Sequence, residues 1–252
     1  MVREPFRMEP HAALALVARA PVVHLATTRP DGAPVLRTVH AVVVDGCVAF
    51  HGGRSGEKAA CVGRPAVVGA EELHAAIPSW FIDPENAAVA GTFFESAQIH
   101  GTLAAVDEGL EKVRVLEALM QKYQPEGRHR ALRADDPLYA DEIRRTLVVR
   151  ILPERIEGKA KLGQNRAPAV LAGILDRLAD RGLPGDRRAI ARVREVVPAL
   201  AGYTAPRAAR ARSLEDVRAA LNRLDGEIAP LLETRGRWVE AAVAFERSGD
   251  EG

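Results

Sequence analysis

Phe50-His-Gly-Gly-Arg-Ser-Gly-Glu-Lys58 is a basic, glycine-rich stretch that follows a run of apolar, β-prone residues. Its three glycines can adopt backbone angles closed to other residues and let main-chain N–H groups approach a ligand, which predicts an anion-binding loop. Arg54 and Lys58 add positive charge to that loop. The stretch has neither a Walker A motif nor G-x-G-x-x-G spacing, so a plain turn between two strands is an alternative interpretation.

The residues before this stretch predict a β-meander. Val22–Thr28 and Pro34–Val44 are rich in β-branched residues, and Arg29–Gly32 between them has the composition of a turn. Asp45-Gly46 is typical of a tight hairpin, after which Cys47–His51 returns as the next strand. We therefore expect the glycine-rich stretch to lie at the exit of three sequentially paired strands.

Further short strands and one amphipathic helix extend the pattern. Strands are predicted at Pro65–Gly69, Glu95–Val106 and Thr146–Leu152, and apolar spacing predicts a helix over Leu110–Tyr123. Few long crossovers separate the strands, which favours an antiparallel barrel over a doubly wound parallel sheet. The expected fold class is mainly β with helices (α+β).

The composition of the chain changes after residue 166. Alanine, leucine, arginine and glutamate dominate there, and helical spacing covers Val170–Leu178, Arg187–Leu200 and Leu214–Phe245. We therefore predict a barrel domain over residues 1–166 and a C-terminal helical extension over residues 167–252.

Overall composition argues against several classes of protein. The 252 residues carry a net charge of +1, which gives no bulk attraction to nucleic acid or to a membrane surface. Cys47 and Cys61 are too few for a disulfide framework or a four-cysteine zinc site. No apolar run reaches the length of a membrane span and the N-terminal residues lack a signal-peptide core, so we expect a cytoplasmic protein.

Several segments occur in the order of a known family. They are Arg37-Thr-Val-His40, Phe50-His-Gly-Gly53, Gly56-Glu-Lys58 and Ser96–Gly101. With them the sequence resembles the FMN-binding split β-barrel family, which includes pyridoxamine-phosphate-oxidase-like proteins. The spacing in Phe50–Lys58 is most similar to the nitroimidazole-resistance reductases, whereas Ile77–Phe81 and Lys161–Arg166 resemble the FMN-binding negative regulators. The resemblance covers Met1–Arg166.

This resemblance implies an FMN bound at the interface of a homodimer. Cations would hold its phosphate, strand backbone would run beside the ring, and a hydroxyl would face it from another strand. By position in the motifs, the phosphate contacts fall to Arg37 and Lys58. The full set of implied cofactor residues is Arg37, Thr38, Val39, His40, His51, Gly52, Lys58 and Ser96.

The implied function is that of an FMN-dependent oxidoreductase acting on a small organic molecule. Trp80 and His51 are the residues expected to face the substrate. No catalytic residue is identified, because hydride or electron chemistry belongs to the flavin. Neither a metal, a membrane nor a nucleic acid is expected as a partner.

The residues themselves leave other interpretations of these roles open. Arg37 and Lys58 have the composition of solvent-exposed surface charges as well. A histidine at a strand end, such as His51, is often a hydrogen-bonded structural residue, and Trp80 suits a core aromatic equally.

Two other classes of function are also open. If the cofactor is heme, as in some members of the superfamily, the candidate axial ligands are His51, His40 and His100. A cofactor-dependent transcriptional regulator is the other class, suggested by the regulator-like motifs and by a basic cluster at Arg207, Arg210 and Arg212. No helix-turn-helix is recognisable, so nucleic-acid binding is not expected.

The C-terminal end carries a second, fainter resemblance. Residues 213–247 are similar to the first helix of the all-helical chorismate mutases, in which two arginines matching Arg218 and Arg235 bind substrate carboxylates. Glu246 stands where that family has a lysine, and Pro230 is expected to interrupt the helix. Chorismate mutase activity is therefore not expected, and an amphipathic dimerisation or docking helix explains the same leucine spacing.

Overall fold

A computed structural model describes residues 2–107, 109–205 and 213–249. Within them the strands are β1 (Arg7–Met8), β2 (Val23–Thr28), β3 (Pro34–Val39), β4 (Val42–Val44), β5 (Cys47–Gly53), β6 (Pro65–Ile77), β7 (Gly91–Val106) and β8 (Thr146–Lys161). The α-helices are α1 (Pro10–Arg19), α2 (Glu57–Ala60), α3 (Gly109–Tyr123), α4 (Ala140–Arg145), α5 (Pro168–Arg181), α6 (Pro184–Val196) and α7 (Leu214–Gly249). None of these helices is long and apolar enough to cross a membrane.

The strands form one antiparallel sheet in the order β3-β2-β6-β7-β8-β5-β4, with β1 added to β8. Its centre is built from β6, β7 and β8, which have 13, 16 and 16 residues. Val39 on β3 and Phe50 on β5 lie near opposite edges of this order, yet they share one buried core because the sheet curls on itself. The fold is therefore an antiparallel split barrel with helices, of class α+β, which confirms the predicted class.

Helix α1 packs against the inside of the curled sheet. Its buried side chains Ala13, Leu16 and Val17 join the same core as Val23 and Leu25 of β2. Burying a leucine or valine side chain contributes about 1.5–3 kcal/mol, so α1 is part of the barrel's stability rather than a surface element.

Helices α5 and α6 build a second core at the far end of the long strands. On α5 the buried residues Leu171, Ile174 and Leu178 follow the spacing of one helix face. They pack with Ile77 at the end of β6 and Phe93 at the start of β7. The first two helices of the predicted extension therefore share a core with the sheet, while a boundary at 166/167 stays a prediction.

The predicted three-stranded meander is wrong in its pairing. The hairpin at Asp45-Gly46 is confirmed, since both residues have positive φ (50° and 76°), as a two-residue type I′ turn requires. However, β3 pairs with β2, whereas the β4–β5 hairpin joins the other edge of the sheet through β8. The strand is interrupted between β3 and β4 because side chains of α3 bind the backbone of Ala41. Lys122 donates to the Ala41 carbonyl at 2.7 Å, and the Ala41 N–H donates to the Tyr123 hydroxyl at 3.2 Å.

The predicted glycine loop is shorter than its sequence indicates. Gly52 and Gly53 continue β5 and pair with Leu147 and Thr146 of β8. Gly56 has φ −82°, and none of the three glycines has positive φ. The glycines are therefore not required for unusual backbone angles, and Gly52 is needed instead for a close approach described below.

The C-terminal helix α7 runs without a break through Pro230, so the predicted interruption is wrong. The proline removes one N–H donor from the helix, and the Thr234 hydroxyl donates to the Pro230 carbonyl at 2.9 Å. Every large apolar side chain of α7 is at least 38% exposed. This helix therefore differs from α5 and α6, whose apolar faces are buried.

Candidate functional site

Five basic side chains gather near the end of β5, and we call this group the basic end of the barrel. Its members are Arg37, His51, Arg54, Lys58 and Lys112. Lys58 lies in the first turn of α2, and its Cε atom is 2.8 Å from where a Cβ on Gly52 would stand. Glycine at position 52 thus leaves room for the lysine side chain to fold back over β5.

Arg37 reaches the same turn from β3. Its Nη2 lies 2.6 Å from Oε2 of Glu57, and Nη1 of Arg29 is 3.9 Å from Oε1 of the same carboxylate. Within the described residues, neither Lys58 nor Arg54 forms an ion pair. Of the two cations predicted to hold a phosphate, Arg37 is therefore already neutralised and Lys58 is not.

His51 lies next to Gly52 on β5 and has an exposed side chain. Burial of part of the ring lowers its pKa below 6.5, and the charges of Lys58 and His40 lower it further. The imidazole is therefore neutral at pH 7, with one nitrogen that donates and one that accepts a hydrogen bond. The influence of Lys58 and His40 also shows that these three predicted residues lie close together.

Sequence reasoning missed the contribution of α3 to this end of the barrel. Lys112 is 3% exposed, and its Nζ donates to the carbonyl of Thr146 at 3.1 Å. Burial lowers the pKa of this amine, Arg54 lowers it further, and Asp107 opposes that shift. Leu110 near the start of this helix is 70% exposed, and the buried face of the helix runs through Lys112, Val115 and Leu119.

The C-terminal end of α3 positions His40. The rings of His40 and Tyr123 are 4.5 Å apart, and the Tyr123 hydroxyl donates to the carbonyl of Pro21 at 3.0 Å. Burial raises the pKa of Tyr123 and lowers that of Lys122, so a neutral phenol and a partly buried amine hold the turn after β3.

Thr38 and Ser96 lie on one face of the sheet, which we call the open face. Thr38 is opposite His24, and His24 is opposite Gly69, which faces Gln98 on β7, two residues from Ser96. Because side chains two residues apart share a face, all of these positions point the same way. Three strand spacings separate β3 from β7, roughly 14 Å, so Thr38 and Ser96 share a face without contact.

The remaining positions of β3 divide between this face and the core. Val39 is 8% exposed and belongs to the inner core, while Leu36 on the open face is 64% exposed. The backbone of residues 38–40 therefore runs along the rim between the core and the open face.

The structure does not bring Trp80 to the basic end. Trp80 lies in the short 3₁₀ turn Ser79–Phe81 after β6, half exposed, against the edge of the Phe81 ring at 4.6 Å. The Arg177 guanidinium of α5 is 5.7 Å from its ring centre. This end of β6 pairs with Gly91 at the start of β7, whereas the basic end lies near the other end of that 16-residue strand.

The three candidate heme ligands are not equivalent. His40 and His51 lie together at the basic end, whereas His100 lies on the open face. Both ring nitrogens of His100 are within 3.3 Å of Nη2 of Arg155, so a guanidinium occupies that position. The predicted basic cluster Arg207, Arg210 and Arg212 lies outside the described residues.

A second cluster of charged groups surrounds the buried carboxylate of Glu95 on β7. Arg192 of α6 donates to both of its oxygens, at 2.9 and 2.7 Å, and His74 Nε2 lies 3.0 Å from Oε2. Burial would raise the pKa of Glu95, but these hydrogen bonds outweigh it and hold the pKa at about 2. We call Arg19, Glu72, His74, Glu95 and Arg192 the Glu95 network.

Glu72, His74 and Glu95 are the group in the described residues with the spacing of a metal site. Arg19 contacts both carboxylates, Glu72 at 3.1 Å and Glu95 at 3.4 Å, and Arg192 takes both oxygens of Glu95. The carboxylates are already compensated by guanidinium groups, so the donor set favours a structural ion-pair network over a metal ion.

Comparison with known proteins identifies the barrel. A family model described as pyridoxamine 5′-phosphate oxidase matches residues 9–160, which are 152 of the 252 residues. No curated protein matches the sequence.

The chain is also similar to solved structures. The FAD and heme binding protein from Mycobacterium smegmatis is 23% identical with a TM-score of 0.50, over 61% of this chain and 71% of that chain. The flavocytochrome Anf3 from Azotobacter vinelandii is 16% identical with a TM-score of 0.50, over 61% and 67%. A putative 5-nitroimidazole antibiotic resistance protein from Bacteroides thetaiotaomicron is 15% identical with a TM-score of 0.48, over 61% and 85%. The residues matched by the family model, 9–160, end before α5, so α6 and its Arg192 lie beyond them.

Proposed function

Since this chain belongs to the pyridoxamine 5′-phosphate oxidase family, we propose that it binds FMN at the basic end of its barrel and acts as an oxidoreductase on a small organic molecule. The observation that carries the proposal is the charge of that end. Lys58 and Arg54 have no carboxylate partner among the described residues, and the buried amine of Lys112 adds a charge that acts on Arg54. A phosphate dianion supplies the missing counter-charge.

The residues of the chain would bind and orient the cofactor. Lys58 holds the phosphate, and Gly52 leaves space for the lysine to reach it. Arg37 adds a second contact to the phosphate once its ion pair with Glu57 is broken. The rim backbone of residues 38–40 offers hydrogen bonds to the ring edge, and the neutral imidazole of His51 offers one more donor or acceptor. The flavin, when bound, supplies hydride or electron transfer.

The open face supports a homodimer with the cofactor at its interface. Thr38 and Ser96 lie on that face, and Leu36 beside them is 64% exposed. A flavin ring beside residues 38–40 would be covered on one side by the barrel, and a second copy would cover the other. Cys61 is buried and Cys47 is partly exposed, both as free thiols, which fits a reducing cytoplasm.

The test of this proposal compares FMN with riboflavin, which lacks the phosphate. We expect FMN to bind with quenching of its fluorescence and at least tenfold more tightly than riboflavin. Lys58→Ala should remove most of that difference, because the charged contact it deletes is worth about 1.5–3 kcal/mol. Arg187→Ala, an exposed arginine on the distant helix α6, is the matched control and should change neither affinity. Equal affinity for FMN and riboflavin in the native chain would sink the assigned phosphate site.

Heme is the second candidate, favoured by one observation at the basic end. The lowered pKa of His51 keeps its imidazole neutral, which is the form that ligates iron, and His40 lies beside it. The names of two structural neighbours include heme and a flavocytochrome. The absorption spectrum of the protein reconstituted with each cofactor separates the two: a flavin doublet supports the first proposal, and a Soret band that His51→Ala abolishes supports the second.

A further inference from the structure

We propose that α7 is a self-association helix, and that it pairs with α7 of a second copy of this chain as an antiparallel coiled coil. The proposal concerns a surface outside the family-matched barrel. It is independent of the flavin site and of the dimer proposed around it.

The apolar residues of α7 repeat every 3.5 residues along its whole length. Alternating steps of three and four give the positions Leu214, Val217, Leu221, Leu224, Ile228, Leu231, Arg235, Trp238, Ala242 and Phe245. We call these ten positions the seam. Nine of them are apolar over more than four heptads, and a strict period of 3.5 residues is the pattern of two helices that supercoil around each other.

The seam faces solvent in this chain. Its large side chains range from 38% exposed at Val217 to 73% at Trp238 and 79% at Phe245. The apolar faces of α5 and α6, in contrast, are closed against the sheet. An exposed stripe of this length is too large for a helix that remains in water.

The helix-weakening residues of α7 are all kept off the seam. Gly226, Pro230 and Gly236 fall at heptad positions f, c and b, which point away from a partner helix. Glycine and proline are the residues least favourable to a helix interior, so an unpaired α7 has poor intrinsic stability. Packing along the seam supplies the stabilisation that the sequence of the helix lacks.

The area available suits a dimer. A helix of 36 residues is about 54 Å long. Trp238 and Phe245 present roughly 300 Å² between them, and the other apolar seam positions add the remainder of the roughly 800 Å² that each partner contributes to a standard interface. Leu232 and Val239, which flank the seam at e positions, widen it.

The single charged seam position selects the antiparallel orientation. In a parallel pair, Arg235 would meet Arg235 of the partner subunit in one layer, and two like charges would be buried together. In an antiparallel pair with full overlap, Arg235 lies opposite Leu224 of the partner subunit, next to the carboxylate of the partner's Asp225. The same alignment places Leu221 opposite the partner's Trp238 and Val217 opposite the partner's Ala242, so that every layer joins an a position to a d position.

Cysteine cross-linking of the full chain tests both pairing and orientation. The double variant Leu221→Cys with Trp238→Cys should form disulfide-linked dimers under oxidised glutathione, while each single variant should form at least tenfold less. Cysteines 17 positions apart on one helix cannot join each other, so a bridge between positions 221 and 238 links two chains. The native chain, with Cys47 and Cys61, is the control for bridges through the barrel. As much linked dimer in the Leu221→Cys single variant as in the double variant would overturn the antiparallel arrangement.

A second variant keeps the result independent of the cysteines and of the barrel dimer. Leu224→Lys with Ile228→Lys places charges on two exposed seam positions, so the barrel should stay folded. Added to the double-cysteine chain, these changes should reduce the linked dimer at least tenfold without altering FMN affinity. Unchanged cross-linking in this variant would reject the coiled coil. A native chain that does not bind FMN would reject only the proposed cofactor.

Discussion

The Glu95 network and the basic end contain similar cations and use them in opposite ways. In the Glu95 network, Arg19 and Arg192 are each held by carboxylates, and hydrogen bonding to Glu95 raises the pKa of Arg192 above its ordinary value. At the basic end, Lys58 and Arg54 have no such partner among the described residues. A paired cation stabilises the fold, whereas an unpaired cation beside a strand end is available for a ligand.

Cavity volume alone would favour the Glu95 network, and not the basic end, as the place where a ligand binds. A cavity of about 540 Å³ opens beside the Glu95 network, and its lining includes Arg19, Glu95 and Arg192. Arg19, Glu95 and Arg192 in its lining already pair with one another or with neighbouring carboxylates. The volume of this cavity therefore says less about function than the charge balance at the basic end.

The largest effect should come from breaking the paired cluster. Glu95→Ala leaves Arg192 and His74 without their buried acceptor, and loss of one partner of a buried pair costs about 3–5 kcal/mol. Urea unfolding should show this decrease in the free energy of unfolding. Glu71→Ala, on the open face with a carboxylate 60% exposed, is the control and should change it by less than about 0.5 kcal/mol. Equal effects of the two variants would mean that the network is not structural.

Acid should act on the same cluster. The pKa of Glu95 is lowered from 4.5 in a free side chain to about 2 in the fold, so its contribution is fully present above pH 4.5 and is lost as the pH falls through 2. We expect about 3 kcal/mol of stability to disappear over this window. Between pH 4.5 and 2, the free energy of unfolding of Glu95→Gln should change less with pH than that of the native chain. The same pH dependence of the free energy of unfolding in both chains would show that another carboxylate governs acid unfolding.

A smaller effect is expected from converting the paired cation of the basic end into an unpaired one. Glu57→Gln frees Arg37 from the carboxylate 2.6 Å away, so its guanidinium can reach a phosphate. FMN affinity should rise severalfold at low salt, and less at high salt because exposed charges are screened. Asp31→Asn, which removes the other carboxylate near Arg29, is the control. A fall in affinity would show that Glu57 positions Arg37 for the ligand instead of withholding it.

The smallest effect concerns the titration of His51. Because the charge of Lys58 lowers its pKa, Lys58→Ala should raise the midpoint of the His51 ring signals in an NMR pH titration. The midpoint in the native chain should lie below 6.5. A midpoint that does not move in the variant would place Lys58 farther from the ring than the fold indicates.

The local parts of this fold could be predicted from the sequence, and the pairing of distant parts could not. Asp45-Gly46 requires its hairpin by backbone preference alone. The β-branched run Val22–Thr28 indicates β2, and the hairpin places the apolar residues Cys47–Phe50 in the returning strand β5. The partner of β5 is β8, almost 100 residues later, and no local signal specifies it. The predicted strand Pro65–Gly69 is shorter than β6, because the charged Glu72 does not indicate a strand in the sequence. In the fold Arg19 donates a hydrogen bond to this carboxylate.

The candidate site divides in the same way. His51, Gly52 and Lys58 are close because they share one strand and the turn that follows, so their grouping could be predicted. Lys112 could not be assigned to the site, because a lysine on an amphipathic helix normally faces solvent and only the packed fold shows it buried. Trp80 belongs to a family motif, but the long strands carry it to the other end of the sheet.

The bond between Glu95 and Arg192 joins a strand inside the family-matched region to a helix beyond it. A gene fragment that stops at Arg166 would encode every strand of the sheet, yet its product would keep a carboxylate on β7 with its main guanidinium partner deleted. It would also bare Ile77 and Phe93. The smallest unit worth expressing therefore extends at least through α6, and homology alone would place its end too early.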